Sequence, residues 1–481
     1  MATRSKAEPA QVDDLVVVVP GIMGSRLADA DGTEVWGPSG AALLEGIRTF
    51  GGSVKGLALP RGVLDGHPGD GVRPSGVMRD VHGLPGLSPL VEGYTDLLKW
   101  LEEHFTLRRR PPGDDAPANL VPFAYDWRLS CRYNAALLGE RVARELERWR
   151  AAGHPEAKVV FLCHSMGGLV ARQYVELGGG AEVTRRVITL GTPYRGSLDA
   201  LLYLVNGLRL NELRRGAGRL VRLDLTRFAR SLPSLHQLTP DYACLEGVPG
   251  QPGLRYAREV PGLPGVDEEL LADAGRFHEA LRESGAGAAY GVEYVPVSGV
   301  LQPTPTTAEL TGASEDRRRL AELLTIDGVD EGGDGRVPRL SSAHVGWGRP
   351  AYTPWEQHGS LQNNPAVRWA VWGWLAGEPP FHRAPRETGG TALGVAVPEL
   401  LAEGEACEVS VTAPGQEELA VAVAVDEGGP GRTLRNLGGG RYTAVLRGLP
   451  AGAHRVRVWA RHAPEQVVTA LVLVVRAGAE A

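Results

Sequence analysis

At 481 residues the chain is too long for one hydrophobic core and implies two domains, while 43% hydrophobic and 22% charged residues are the proportions of a soluble globular protein. A net charge of −6 excludes a nucleic-acid binder that works through a basic surface. Cys131, Cys163, Cys244 and Cys407 show no metal-ligand spacing, and Cys163 falls inside an apolar run where it cannot reach a distant partner, so a reducing compartment, the cytoplasm, is expected. Residues 1–10 hold charge but no signal-peptide core, and no stretch of about 18 apolar residues follows, so any membrane contact is expected to be peripheral.

In chain order, residues 1–13 read as a flexible terminus. Residues 14–20 then form an apolar, β-branched run of the kind a fully buried parallel strand shows, and it empties into the glycine-containing turn 21–25. Residues 36–93 are rich in Gly and Pro and read as an insertion. A strand is expected over 118–123, the loop Tyr125-Asp-Trp-Arg128 after it, and a helix with interleaved Glu and Arg over 134–152. In the loop, a salt bridge between Asp126 and Arg128 that braces the site is the stronger reading than substrate contact, and Trp127 reads as packing.

The run 159–168 ends its apolar strand abruptly in Cys163-His-Ser-Met-Gly-Gly168, with a helix-forming segment following. A serine on such a strand-to-helix turn has its hydroxyl raised above a sheet, and small neighbours allow strand and helix to close around the strained backbone. Ser165 is the candidate nucleophile, although Cys163 stands where the first glycine of the usual pattern would be. Further strands are expected over 187–190 and 294–300, separated by a second insertion, 198–290. That insertion carries amphipathic segments at 201–205 and 220–225, and basic residues interleave with leucines from Leu208 to Arg230. A lid or acyl-chain groove and an ordinary core-facing cap fit the apolar segments equally. An anionic membrane surface and a solvated helix face fit the basic ones equally.

Serine needs a base to take its proton and an acid to orient that base. The acid is assigned to Asp334, in the glycine-rich loop 330–338, with Asp330, Asp327 and Glu331 as alternatives. The base is assigned to His358, in the loop before the Trp-rich helix 365–375, because His344 lies only ten positions past Asp334. The order Ser, Asp, His is that of the α/β-hydrolase fold. Backbone N–H groups of Met166, after the nucleophile, and Ile22, after the first strand, are the expected oxyanion donors.

Residues 19–27, 123–129, 163–167 and 188–197 together resemble, in order and spacing, the lecithin:cholesterol acyltransferase-like family, which includes lysosomal phospholipase A2 and the phospholipid:diacylglycerol acyltransferases. The resemblance spans roughly residues 14–376. It implies acyl-ester chemistry through an acyl-serine, with Ser165, Asp334 and His358 on the triad positions, Ile22 and Met166 on the oxyanion positions, and phospholipids as acyl donors. Three departures stand out: Cys163 at the elbow, no disulfide framework like that of the secreted members, and Arg336 where the family has Thr after Gly-Asp-Gly.

Past the helix the character changes. Residues 379–390 are a proline-rich linker, and 391–481 show short alternating strands at 407–413, 419–425, 441–446 and 454–460 separated by Gly/Pro turns, as in an immunoglobulin-like β-sandwich. The expected architecture is thus an α/β-hydrolase over 14–378 with insertions at 36–93 and 198–290, followed by a sandwich that binds a partner or stabilises the hydrolase. Since the triad is complete before the linker, hydrolysis of a small ester is expected to survive removal of residues 379–481. The expected activity is that of a serine hydrolase or acyltransferase on lipid esters, with no cofactor or metal. A non-lipid esterase or thioesterase, and an inactive hydrolase fold serving as an interaction or effector module, are the alternatives.

Overall fold

Five short strands pair side by side, every pair parallel: β1 (Leu15–Val19), β2 (Leu120–Pro122), β3 (Val159–His164), β4 (Thr184–Leu190) and β5 (Glu293–Val297), in the spatial order β5-β4-β3-β1-β2. A parallel sheet covered by helices on both faces has no solvated side, which is why β1 and β3 are apolar almost throughout and buried at every position. The computed structural model describes residues 8–37, 56–79, 93–111, 113–213, 221–312, 314, 317–342, 351–377, 392–426 and 431–475, with side chains at 209–223 and 475 left aside. His344, much of the 36–93 insertion and the 379–390 linker lie outside the described residues.

The connections set where a site can form. From β1 the chain moves to β2 on one side, then crosses back to β3 on the other, so β1 and β3 are neighbours whose outgoing loops diverge. At such a switch point a crevice opens beyond the carboxyl ends of the strands. The turn after β1 and the elbow after β3 both face it.

Around the sheet lie α1 (Thr95–His104), α2 (Cys131–Ala151), α3 (Met166–Leu177), α4 (Leu198–Asn206), α5 (Glu268–Glu283) and α6 (Pro365–Ala376). Helix α2 starts at Cys131, three residues before its apolar periodicity suggests, because Ser130 caps it by accepting the Tyr133 N–H at 3.0 Å. Strand β5 stops at Val297 rather than Val300. Beyond it the chain stays beside residues 352–354, with Ser298 N donating to Tyr352 O at 2.9 Å and Val300 N to Pro354 O at 3.1 Å, and this short parallel contact delivers the chain to His358.

The apolar face of the helix that opens the second insertion is buried. Leu198, Leu201, Leu202 and Val205 of α4 are buried in a cluster with Tyr242, Leu245, Ala308 and Leu320. Arg230 turns inward and donates to the carbonyls of Leu204 and Val205 at the end of α4, at 2.8 and 3.2 Å. The side chains of the Leu220–Leu225 segment before Asp224 lie outside the described ones.

Residues 392–475 form two further sheets. One holds β6 (Gly394–Ala396), β8 (Cys407–Thr412), β12 (Arg441–Leu446) and β11 (Arg435–Gly438) in that order, and the other β7 (Leu400–Ala402), β14 (Val467–Val475), β13 (Gly452–Ala460), β9 (Val421–Val425) and β10 (Arg432–Thr433). This is the two-sheet arrangement of an immunoglobulin-like sandwich, down to the first strand splitting so that its second half joins the last strand in parallel. Its interior, from Leu393 to Val474, is a cluster of its own.

Candidate active site

Ser165 occupies the turn between β3 and α3 with φ +52° and ψ −127°, backbone angles that side-chain-bearing residues rarely hold. Three contacts fix it there: its N–H donates to Leu190 O at 2.8 Å, and its carbonyl accepts from Gly168 N at 3.0 Å and from the Thr192 hydroxyl at 2.9 Å. The two glycines after it have a steric cause. A Cβ at Gly167 would lie 2.4 Å from Pro20 O, and one at Gly168 would lie 2.0 Å from Thr192 Oγ1. Cys163, where a glycine was expected, points into the core of the sheet and is fully buried.

His358 begins a short 3-10 helix, His358–Asn363, and its Nε2 is 2.9 Å from Ser165 Oγ. Its Nδ1 is 2.8 Å from Asp334 Oδ2. A carboxylate only accepts, so Nδ1 bears the proton and Nε2 presents its lone pair to the serine hydroxyl. The same two residues are tied through their backbones, His358 N–H donating to Asp334 O at 2.8 Å. The other carboxylate oxygen accepts from Arg336 N at 3.0 Å and Val337 N at 2.7 Å, which fixes the carboxyl plane. Asp334 is 1% exposed, His358 7% and Ser165 6%, so the three meet in a nearly dry place where their mutual polarity counts most. Asp327, Asp330 and Glu331 all sit on the surface instead.

Met166 heads α3, and the first turn of a helix leaves its N–H groups without intrahelical partners and turned toward negative charge. Ile22 lies in the turn Gly21–Gly24, closed by Gly24 N donating to Gly21 O at 3.0 Å. Gly21 touches the elbow so closely that a Cβ there would come within 2.9 Å of Ser165 Cβ. The structure therefore brings the β1 turn and the elbow into contact.

Two sequence motifs prove to be one structural unit. The Tyr125 hydroxyl donates to Pro20 O at 2.8 Å, Tyr125 N donates to Ser25 Oγ at 3.0 Å, and the Trp127 indole donates to Ser25 O at 3.1 Å. Arg128, fully buried, is bound to both oxygens of Asp126, to Asp70 Oδ2 at 2.8 Å and to Leu57 O at 3.2 Å. Asp126 and Arg128 thus tie the Tyr125–Arg128 loop to Leu57 and Asp70, while Tyr125 and Trp127 hold the β1 turn. Trp127 packs edge-on to Trp36.

Sequence reasoning passed over several residues of the site. Tyr94 links Gly21 N and His164 Nδ1, each at 2.9 Å, and no motif marks it. Gly191 stands beside Asp334 and His358, where a Cβ would fall 2.7 Å from Asp334 Oδ2. Arg336 is explained by its partners: it donates to Asp199 Oδ2 at 2.7 Å and the Tyr203 hydroxyl at 2.8 Å, and pairs with Glu399 of the sandwich.

The sheet order and this site together define an α/β-hydrolase. Within that class, the sequence model of the lecithin:cholesterol acyltransferase family matches residues 70–241. A search of curated proteins returns no match. Among solved structures, the mature Bacillus licheniformis lipase BlEst2 is 13% identical, with 78% of this chain and 96% of that one covered at a TM-score of 0.33. The phospholipase PlaB of Legionella pneumophila is 13% identical, with 80% and 89% covered at a TM-score of 0.28.

Proposed function

We propose that this chain is a serine esterase that hydrolyses or transfers acyl groups of lipid esters through an acyl-serine on Ser165. The single observation that carries the reading is the continuous line from Ser165 Oγ through the His358 ring to Asp334, at 2.9 and 2.8 Å. His358 takes the hydroxyl proton as Ser165 attacks the ester carbonyl, and Asp334 holds the imidazolium that forms. The carbonyl oxygen, now an oxyanion, faces the Met166 and Ile22 amides. As the intermediate collapses, the alcohol departs with the proton from His358 and leaves the acyl group on Ser165. Water or a second alcohol then gives its proton to His358, attacks the acyl-serine and releases the acid or a new ester.

The substrate class rests on the family match over residues 70–241. Membrane phospholipids are the proposed acyl donors, and no described helix is long and apolar enough to cross a membrane, so access is proposed from the lipid surface. The test is labelling with a fluorophosphonate, which reacts only with an activated serine, followed by lipid profiling of cells expressing wild type or Ser165→Ala. Labelling at Ser165 together with loss of a phospholipid acyl chain is expected. An unlabelled but folded wild type would remove the mechanism, and unchanged lipids would remove the substrate class.

A further inference from the structure

The loops carrying Asp334 and His358 are not held by the hydrolase alone. Among the described residues strand β6 is the edge of its sandwich sheet, paired with β8 on one side, and an edge strand leaves backbone N–H and C=O groups that need partners. Two glutamines supply them. Gln302 Oε1 accepts from Val395 N at 3.0 Å while its Nε2 donates to Leu393 O at 3.2 Å, and Gln357 Nε2 donates to Val395 O at 3.0 Å.

Both glutamines are adjacent to the reacting groups. The backbone N–H of Gln302 donates to the carbonyl of Gly333, the residue before Asp334, at 3.0 Å. Gln357 immediately precedes His358. One strand edge therefore grips the acid loop and the base loop at once.

Glu356, 1% exposed, makes a second and more demanding link. Its Oε1 accepts from Thr469 N, on sandwich strand β14, at 2.8 Å and from Gln357 N at 2.9 Å. Its Oε2 accepts from Asn364 Nδ2 at 3.0 Å, and Asn364 Oδ1 in turn caps α6 by accepting from Ala366 N at 2.9 Å and Val367 N at 3.1 Å. A buried carboxylate is retained only where donors surround it. Here the donors come from the sandwich, the base loop and the helix that follows it. Arg336, two residues past Asp334, adds an ion pair to Glu399 of the sandwich.

We propose that the C-terminal sandwich is a working part of the active site, which through Gln302, Glu356 and Gln357 fixes the loops bearing Asp334 and His358 at the spacing catalysis requires. The proposal rests on the triad reading above and deepens it, since Glu356 touches no reacting atom and acts as a positioning residue. A displacement of about 1 Å in a catalytic group costs roughly 100-fold in rate. A sandwich that only recruited a partner would have no reason to be clamped beside Asp334 and His358.

The test uses the full chain and a soluble short-chain nitrophenyl ester. Glu356→Gln turns a donor toward the Asn364 donor, while Glu356→Gln combined with Asn364→Asp restores a donor–acceptor pair and keeps the helix cap. The single variant is expected to lose at least about tenfold in kcat with KM within about twofold, and to shift the limb of the pH profile that reports His358. The double variant is expected to regain most of the lost kcat. From the sandwich side, Val395→Pro removes an N–H lying outside the strand ladder, which edge strands tolerate, and should lower kcat in the same way. Ser165→Ala, run alongside, separates the two claims. If it is dead while the folded Glu356→Gln and Val395→Pro variants keep wild-type kcat and pH profile, the positioning role is overturned and the triad stands. If Ser165→Ala itself stays active, the triad reading falls and this proposal with it. Should Glu356→Gln fail to fold, Val395→Pro and Gln302→Ala decide on the same readouts.

Discussion

Tyr94 reaches His164 across the floor of the site, its hydroxyl 2.9 Å from the ring Nδ1. The other nitrogen, Nε2, lies 2.9 Å from the carbonyl of His358, which only accepts, so Nε2 carries the proton and Nδ1 accepts from Tyr94. The Tyr94 oxygen is left to receive Gly21 N–H. A single ordered chain of hydrogen bonds thus runs from the β1 turn to the backbone of His358. Burial, and after it the neighbouring His358 ring, push the His164 pKa down to about 3, so the chain keeps one proton arrangement near neutral pH.

Tyr94→Phe removes the link and strands two buried polar groups, at a cost of about 1–3 kcal/mol. We expect a lower melting temperature and a fall in kcat of roughly tenfold or more, with KM little changed. Wild-type kcat in a folded Tyr94→Phe protein would show that the chain only fills space.

Ser165→Ala and His358→Ala should each cost on the order of 10⁶ in turnover, and about as much together as singly, because a triad acts as one unit. Asp334→Asn should cost on the order of 10⁴, whereas Asp330→Asn, on the surface, should cost little. Steady-state rates on one soluble ester check all of these, and a reversed ranking of the two aspartates would reassign the acid.

The strained backbone at Ser165 gives a stability prediction independent of activity. Ser165→Ala and Ser165→Gly both lose the hydroxyl, but only glycine adopts φ +52° and ψ −127° at ease. The glycine variant should be the more stable of the two by about 1–3 kcal/mol in denaturant unfolding. Equal stabilities would mean the turn stores no strain.

Acid should unfold this protein earlier than its carboxylates alone would require. Burial lowers the pKa of His164 to about 3, of His278 to about 4, and that of His236 as well. Below the ordinary histidine value near 6.5 the unfolded chain takes up protons that these folded sites refuse, so stability is full above about pH 6.5 and falls as pH drops toward the folded values. Each such histidine steepens the loss by about 1.4 kcal/mol per pH unit. Denaturant melts between pH 6 and 4.5 should be correspondingly flatter in His278→Gln, which keeps a donor for Gln237 O; an unchanged slope would refute the assignment.

Arg128 tests the bracing of the Tyr125–Arg128 loop. Removing one partner of a buried, multiply bonded pair leaves an uncompensated charge, so Asp126→Asn should destabilise by about 3–5 kcal/mol, read by thermal or chemical unfolding. A substrate-contact role would instead raise KM and leave the melting curve in place.

The amino-acid order by itself determined what depends on local pattern. The β-branched runs 15–19 and 159–164 announce buried parallel strands, Gly167 and Gly168 announce a tight elbow at Ser165, and the period-two alternation after residue 391 announces a sandwich. The assignment of Asp334 over Asp330, Asp327 and Glu331 used only chain order and loop composition, and the structure places Asp334 alone of the four against His358. What only the tertiary structure decided are pairings between distant segments: Tyr94 with His164, Ser25 with Tyr125 and Trp127, and Glu356 with Thr469, 113 positions away. Nothing in a local pattern encodes such partners, because a buried polar group needs a donor or acceptor but not one at any fixed distance along the chain. That is also why the sandwich read as separable in the sequence, where the linker and the change of periodicity are visible, while the hydrogen bonds from Val395 and Thr469 to the loops of Asp334 and His358 appear only once the chain has folded back on itself.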